Sequence, residues 1–345
     1  ALIDIRSARA GLDAKSGALH VERLGIDSDR GRFTVHGDYL PRENFRTDLL
    51  ATAVLPASAG QTAPRIGLLA RGDLSNLVVA IGGRAPAPLR ATLSLRGDQD
   101  TPQWSLRANS EALDIGLLTG SGEASTPLAF KLAADGVGGK ANLRGNLTQG
   151  EFSATLQPSK LQLDEQVLRL QPLVLDVFDG RVTAQGSADL RDPDHSSLKF
   201  AINAHGLRWH GDDGTAMVAG DADFGIAGTL ERWAAIGKAA FKRGGETAHV
   251  DFDGIGDRSG VVVRKLQASM PQGRLDASGD VAWTPRLKWK ANAMLAGFDP
   301  GYFAPDLPGA INGRIESDGE LRDDGRLRAH VDARELGGTL RARAL

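Results

Sequence analysis

The sequence predicts an all-β chain, an elongated antiparallel-rich sheet with one apolar face. Three observations predict it: apolar residues alternate with polar ones over short runs, Gly-containing turns separate the runs, and one strand–turn–strand unit occurs three times.

Alternation comes first, because period 2 puts successive side chains on opposite faces of a strand. Leu89-Arg90-Ala91-Thr92-Leu93-Ser94-Leu95-Arg96 and Leu128-Ala129-Phe130-Lys131-Leu132 are clear cases. Leu143 to Leu147, Phe152 to Leu156, Ala248 to Phe252 and Leu287 to Ala291 follow the same rule. The Ala-rich run Trp233 to Phe241 permits a helix, yet Trp233, Ala235, Gly237, Ala239 and Phe241 fall at every second position, so it is read as strand. One-turn helices are expected near Pro300 to Pro305 and near Leu113 to Leu118.

The turns are next. Gly82-Gly83, Asp179-Gly180, Gly244-Gly245, Asp318-Gly319 and Asp324-Gly325 are residues that tolerate the positive φ of tight hairpins. With 43 Gly among 345 residues and only 5% aromatics, the composition suits turns and curved strands better than helices.

The repeat is the most informative feature. Leu19-x-Val21-x-x-Leu24-x-Ile26 precedes Gly31-x-Phe33-x-Val35-x-Gly37. Leu168-x-Leu170-x-x-Leu173-x-Leu175 precedes Gly180-x-Val182-x-Ala184-x-Gly186 in the same way, as Val261-x-Val263-x-x-Leu266-x-Ala268 precedes Gly273-x-Leu275-x-Ala277-x-Gly279. Unequal intervals between the copies point to one sheet elongated by added strands, not to a propeller of equal blades. The extra residue between the two apolar pairs is what a β-bulge inserts, and Pro172 sits at that place. Gly37, Gly186 and Gly279 are expected to be creases of the sheet.

Composition excludes several functions. A net charge of −2, from 41 Lys plus Arg against 43 Asp plus Glu, does not provide the basic surplus of a nucleic-acid binder. With no Cys, disulfides and thiolate metal sites are impossible. No apolar run reaches the length of a membrane-spanning helix. Both ends alternate like strands, so residues 1–345 are expected to be a single continuous β-sheet repeat region, an internal fragment lacking an N-terminal membrane anchor and a C-terminal partner-binding region.

Catalytic and metal-binding patterns do not emerge. Asp135 to Lys140 lacks phosphate-loop spacing and is explained by a hairpin. Gly254 to Gly260 has no helix after it to make a dinucleotide site. His195, His205 and His210 lack zinc spacing, and Asp212-Asp213 reads as a solvated turn. The chain is therefore expected not to be an enzyme and to need no cofactor.

An amphipathic sheet must hide its apolar face under a second sheet, by closing into a barrel, or by folding into a trough occupied by other molecules. The residue pattern leaves all three open. A specific run bears on the choice: Gly273-x-Leu275-x-Ala277-x-Gly279, Trp283-x-Pro285-x-Leu287-x-Trp289, and Asp299-Pro300-x-x-Phe303-x-Pro305-x-x-Pro308-Gly309. It resembles the TamB family of the translocation and assembly module, with Leu307 departing from the Trp common there. The resemblance implies a curled, β-taco-like trough with an apolar concave lining. It implies a periplasmic protein of Gram-negative bacteria, anchored in the inner membrane at full length and paired with an outer-membrane barrel of the TamA type.

Two roles are implied: conduction of phospholipid along a hydrophobic groove, or scaffolding of client outer-membrane proteins and autotransporters by strand templating. A third reading is a passive β-solenoid spacer.

The candidate lining begins with Leu19, Val21, Leu24, Ile26, Phe33, Val35, Leu89, Leu93, Leu95 and Phe130. It continues with Leu168, Leu170, Leu173, Leu175, Val182, Phe224, Ile226, Val250 and Phe252, then Val263, Leu266, Leu275, Val281, Trp283 and Trp289. The plain alternative is a dry structural core made by the same residues. The expected occupants of the lining are phospholipid acyl chains.

Overall fold

The computed structural model describes the chain apart from residues 1–3, 16, 58–59, 61, 86, 98–100, 117–125, 193–195, 211–216, 305, 322–326 and 345. Two compact units divide it, Ala1–Lys160 and Leu161–Leu345. The first contains β1 (Ile5–Lys15), β2 (Ala18–Ser28), β3 (Gly31–Leu40), β4 (Arg46–Val54) and β5 (Arg65–Asp73). It continues through β6 (Asn76–Arg84), β7 (Pro88–Arg96), β8 (Gln103–Leu113), β9 (Leu128–Val137) and β10 (Lys140–Gln149). The division falls within β11 (Phe152–Asp164). In the second unit lie β12 (Val167–Val177), β13 (Gly180–Asp189), β14 (Ser197–His210), β15 (Met217–Gly228), β16 (Trp233–Arg243) and β17 (Glu246–Gly256). Then come β18 (Gly260–Ser269), β19 (Arg274–Ala282), β20 (Lys288–Phe298), β21 (Gly309–Leu321), β22 (Leu327–Leu340) and β23 (Arg343–Ala344).

Within each unit every strand pairs antiparallel with its sequence neighbours, from β1 to β10 and from β12 to β23. Among the described residues no pairing joins the first strand of a unit to its last, so the strands of neither unit close as a barrel.

Bulges maintain the phase of the alternation. The register shifts between Val21 and Leu24, Leu170 and Leu173, and Val263 and Leu266, the extra-residue positions of the three repeats. Without the inserted residue, the apolar set downstream would turn to solvent. Pro172, with no N–H to donate, sits inside one of these shifts. Two further bulges, in β14 and β20, contain Gly206 and Gly297 at φ 65° and 60°. The amides of these glycines donate to Asp221 Oδ1 and Asn312 Oδ1, each at 2.8 Å, so the bulge leaves no orphan donor there.

The crease glycines are real constraints. Gly37 and Gly186 adopt φ of 132° and 150°, and a Cβ at Gly37, Gly186 or Gly279 would overlap the carbonyl of the next strand.

Trp233 to Phe241 is strand, within β16, and Pro300–Tyr302 forms a 3-10 turn. Two expected turns are corrected. Gly82-Gly83 lies inside β6, paired with Gly67 and Ile66, and Asp318-Gly319 lies inside β21, paired with Lys290 and Trp289. Glycine there serves close strand approach or a ring stacked across the ladder, a use that local sequence does not separate from a turn. Asp324-Gly325, His195 and Asp212-Asp213 lie outside the described residues. Of the expected helix at 113–118, Leu113 ends β8, Ile115 and Gly116 are helical, and 117–118 lie outside the described residues.

Val substituted at Gly37 or Gly186 is expected to lower the urea midpoint, consistent with about 1–3 kcal/mol of backbone strain plus the overlap with the neighbouring strand. Gly25→Ala, with nothing within 4 Å of the new Cβ, is expected to change stability by less than about 0.5 kcal/mol.

Candidate functional site

Directly paired residues of an antiparallel ladder share a face. In the first unit, Leu24, Val35, Ala51, Leu68, Ile81, Ala91, Ala108 and Leu132 pair successively from β2 to β9 and form one transverse row. Val21, Gly37, Leu49, Ala70, Val79, Leu93, Leu106 and Ala134 form the next row. In the second unit the row from Leu173 continues through Ala184, Ile202, Phe224, Gly237, Phe252, Leu266, Ala277, Ala293 and Ile315.

Of the residues expected to line the face, Leu19, Val21, Leu24, Ile26, Phe33, Val35, Leu89, Leu93, Leu95 and Phe130 share the apolar face of the first unit. Leu168, Leu170, Leu173, Leu175, Val182, Phe224, Ile226, Val250, Phe252, Val263, Leu266, Leu275, Val281 and Trp289 share that of the second. Trp283 lies beyond the end of β19, off the paired rows, and its Nε1 donates to the Arg258 carbonyl at 2.8 Å.

The opposite faces are polar and cross-linked by facing side chains. His20 meets Asp38 at 2.6 Å, Asp48 accepts from Arg71 at 3.1 Å, Asn203 donates to Asp223 at 2.6 Å, and Gln267 donates to Asp276 at 2.9 Å. Such exposed pairs are screened by solvent, so they tune register more than stability. Asp38 beside His20 raises that imidazole above its ordinary range.

Among the described residues the apolar faces are not sealed by protein. Leu93, Leu106 and Leu132, in the middle of the first unit's face, remain 38%, 37% and 42% exposed. Phe224, Phe252 and Leu266 in the second are only half-buried. A sandwich core would bury such residues almost completely.

Two features of the faces were not read from the sequence. The first is a set of indole rings lying over cross-strand glycines: Trp104 over Gly136, Trp233 over Gly256 and Trp289 over Gly319, where a Cβ on the glycine would overlap the ring. The indole N–H groups donate to the Gly138 carbonyl at 2.9 Å, the Asp257 carbonyl at 3.1 Å and Ser317 Oγ at 3.1 Å. An aromatic ring covers the backbone that glycine leaves bare, while its polar edge is satisfied by a nearby carbonyl or hydroxyl. Only cross-strand register, unknown from one sequence, could have matched each Trp to its Gly.

The second feature is a short segment, residues 299–304, that crosses one rim of the second unit's face. The ring of Phe303 meets Phe241 of β16 edge-on at 5.0 Å and stacks with Phe298 of β20 at 5.8 Å. Phe241 and Phe298 are thus at most about 11 Å apart, the two spacings laid end to end. Four strand steps along a flat sheet separate such residues by about 19 Å, with side chains standing perpendicular to it. The sheet is therefore bent between β16 and β20, with its apolar side inward.

Polar contacts fix the segment at both ends. Asp299 accepts from Gly301 N at 2.9 Å, Gly309 N at 2.8 Å and Arg243 Nη1 at 3.3 Å. Tyr302, 4% exposed, donates to Glu246 at 2.8 Å, and Gln272 donates to the other oxygen of that carboxylate at 2.9 Å. Burial, then the bond to Glu246, pushes the Tyr302 phenol up to about 12. Gln272 first, and Tyr302 second, hold Glu246 below its ordinary value.

Among the described residues no group of three metal-ligating side chains forms, and no helix is long and apolar enough to cross a membrane. Residues 192–345 match the family model described as TamB, N-terminal domain, a range that includes the whole Gly273 to Gly313 run. No curated protein and no solved structure matches the chain.

Gly319→Val is expected to expel Trp289 from its seat, shifting indole emission to the red and lowering the urea midpoint. Tyr302→Phe is expected to lower the urea midpoint by a constant amount between pH 6 and 9, since over that range the phenol keeps its proton in the folded and the unfolded chain alike. A depressed carboxylate stabilises above its unfolded value and loses that contribution as pH falls through its folded one. The difference between Tyr302→Phe and the unsubstituted chain should therefore shrink on acidification below pH ~4.

Proposed function

We propose, from the premise that this chain belongs to the TamB family through its residues 192–345, that its apolar faces carry phospholipid acyl chains between the membranes of the cell envelope. TamB-family proteins are envelope-associated. The single observation supporting the reading is the unsealed apolar face: rows of Leu, Val, Ile and Phe held in register, half-buried by their neighbours and, among the described residues, covered by no second layer of protein.

The energetics favour hydrocarbon on that surface. Each methylene withdrawn from water gains about 0.8 kcal/mol, so a long acyl chain gains on the order of 10 kcal/mol by lying along the rows. Successive rows offer nearly equal environments, so a chain exchanges one set of contacts for another without a wholly aqueous intermediate. The charged headgroup stays in solvent, which avoids the cost of burying an ion. No reacting group is required, and the protein acts as a surface rather than as an enzyme. A periplasmic setting and a barrel partner of the TamA type belong to the same proposal.

Phospholipid is expected to co-purify with the chain and to be identified by mass spectrometry of the gently isolated protein. A photoreactive residue at Phe252 should capture acyl chains. Leu173→Asp, at the centre of a row, should leave the strand content unchanged by circular dichroism and reduce bound lipid severalfold. A folded chain free of lipid, whose position-252 probe captures only polypeptide, would overturn the conduit in favour of strand templating of client proteins. Unfolding by Leu173→Asp, together with absent lipid, would favour a passive spacer.

A further inference from the structure

The segment at residues 299–304 occupies a position that the acyl-chain reading otherwise leaves to hydrocarbon. Phe241 and Phe298 belong to the edge row of the second unit's apolar face, on strands four steps apart. Between their rings lies a third ring, Phe303, contributed by a connection rather than by a strand. Its neighbour Tyr302 is 4% exposed, more fully buried than Phe224, Phe252 or Leu266 on the open rows.

The fastenings lie on the strand ends that form the rim. Arg243 and Glu246 flank the turn between β16 and β17, Gln272 sits in the turn between β18 and β19, and Asp299 follows β20. The Arg243 guanidinium lies so close to Gly301 that a Cβ there would overlap it. These are directional polar contacts, and losing one is expected to shift an opening equilibrium by about two- to tenfold. The packed part is three rings, which a hydrocarbon chain could replace with contacts of similar kind.

We propose that residues 299–304 are a strap that acts as the trough's internal occupant: Phe303 fills the place of an acyl chain between Phe241 and Phe298, and lipid reaches this stretch of the rim only by displacing it. The inference rests on the conduit reading and adds a point along the second unit where passage is gated by the protein's own side chain.

The test uses the full 345-residue chain mixed with vesicles of phosphatidylethanolamine and phosphatidylglycerol that contain a diazirine-acyl phospholipid. After illumination and tryptic digestion, adducts are counted on the peptide containing Phe241 and, separately, on the peptide containing Phe252. In the unsubstituted chain the Phe252 peptide should be labelled and the Phe241 peptide nearly free of label. Phe303→Ala should raise labelling at Phe241 by about tenfold or more, since the whole ring packed between Phe241 and Phe298 is removed, and leave Phe252 unchanged. Tyr302→Phe, which keeps every ring and so guards against misfolding, should raise it by about two- to tenfold. Equal labelling of both peptides in the unsubstituted chain, or no response to either substitution, would make the segment a static brace and overturn the proposal while leaving the conduit standing. Absence of adducts at both peptides would overturn both.

Discussion

The phase of the strand alternation is the constraint on which everything else here depends. Each strand must present the same parity of residues to the same side as its neighbour, because a slip of one position exchanges the greasy set for the charged one. The register meets this requirement across nine ladders of the first unit and eleven of the second, and it does so by inserting residues where the chain would otherwise lose step. Bulges at Val21/Leu24, Leu170/Leu173 and Val263/Leu266 are therefore part of the specification of the face. The creases beside them follow from the same economy of space: where one strand widens, Gly37 and Gly186 let the next come close without a side chain between.

Much of the fold could be read from residue order because its information is local. Strand identity, bulge position and the crease glycines each sit within a few residues of their cause, and Pro172 marks its bulge by chemistry alone. What stayed hidden depended on partners far away in sequence. Gly82-Gly83 and Asp318-Gly319 have the residue types of a hairpin turn, and only the ladder shows that Gly319 is the seat of Trp289. Trp283 has the parity of its neighbours but falls past the last pairing of β19, so the ladder does not assign it to a row.

The site followed the same division. The open apolar rows were implied by alternation, whereas the covering segment was expected only as one helical turn near Pro300. That it reaches Phe241, two hairpins upstream, requires a bent sheet, and curvature leaves no mark in the period of a sequence. The polar fastenings are equally non-local, since Glu246 and Tyr302 are joined across 56 residues. Their chemistry is nonetheless coherent: a buried phenol needs an acceptor, and the carboxylate at the neighbouring hairpin supplies one.

Pairing solely between consecutive strands has one more consequence. Each ladder closes a connection of 14 residues or fewer, the longest between β8 and β9, so the entropy cost of assembly stays low at each step. Each unit can be laid down progressively from its first strand as the chain emerges, and a newly made hairpin finds its template already in place. The growing end is always an unpaired edge, the form of β-structure most prone to recruit the wrong neighbour. Its charged solvent side then serves a kinetic purpose: it discourages foreign strands during the interval before the next native one arrives.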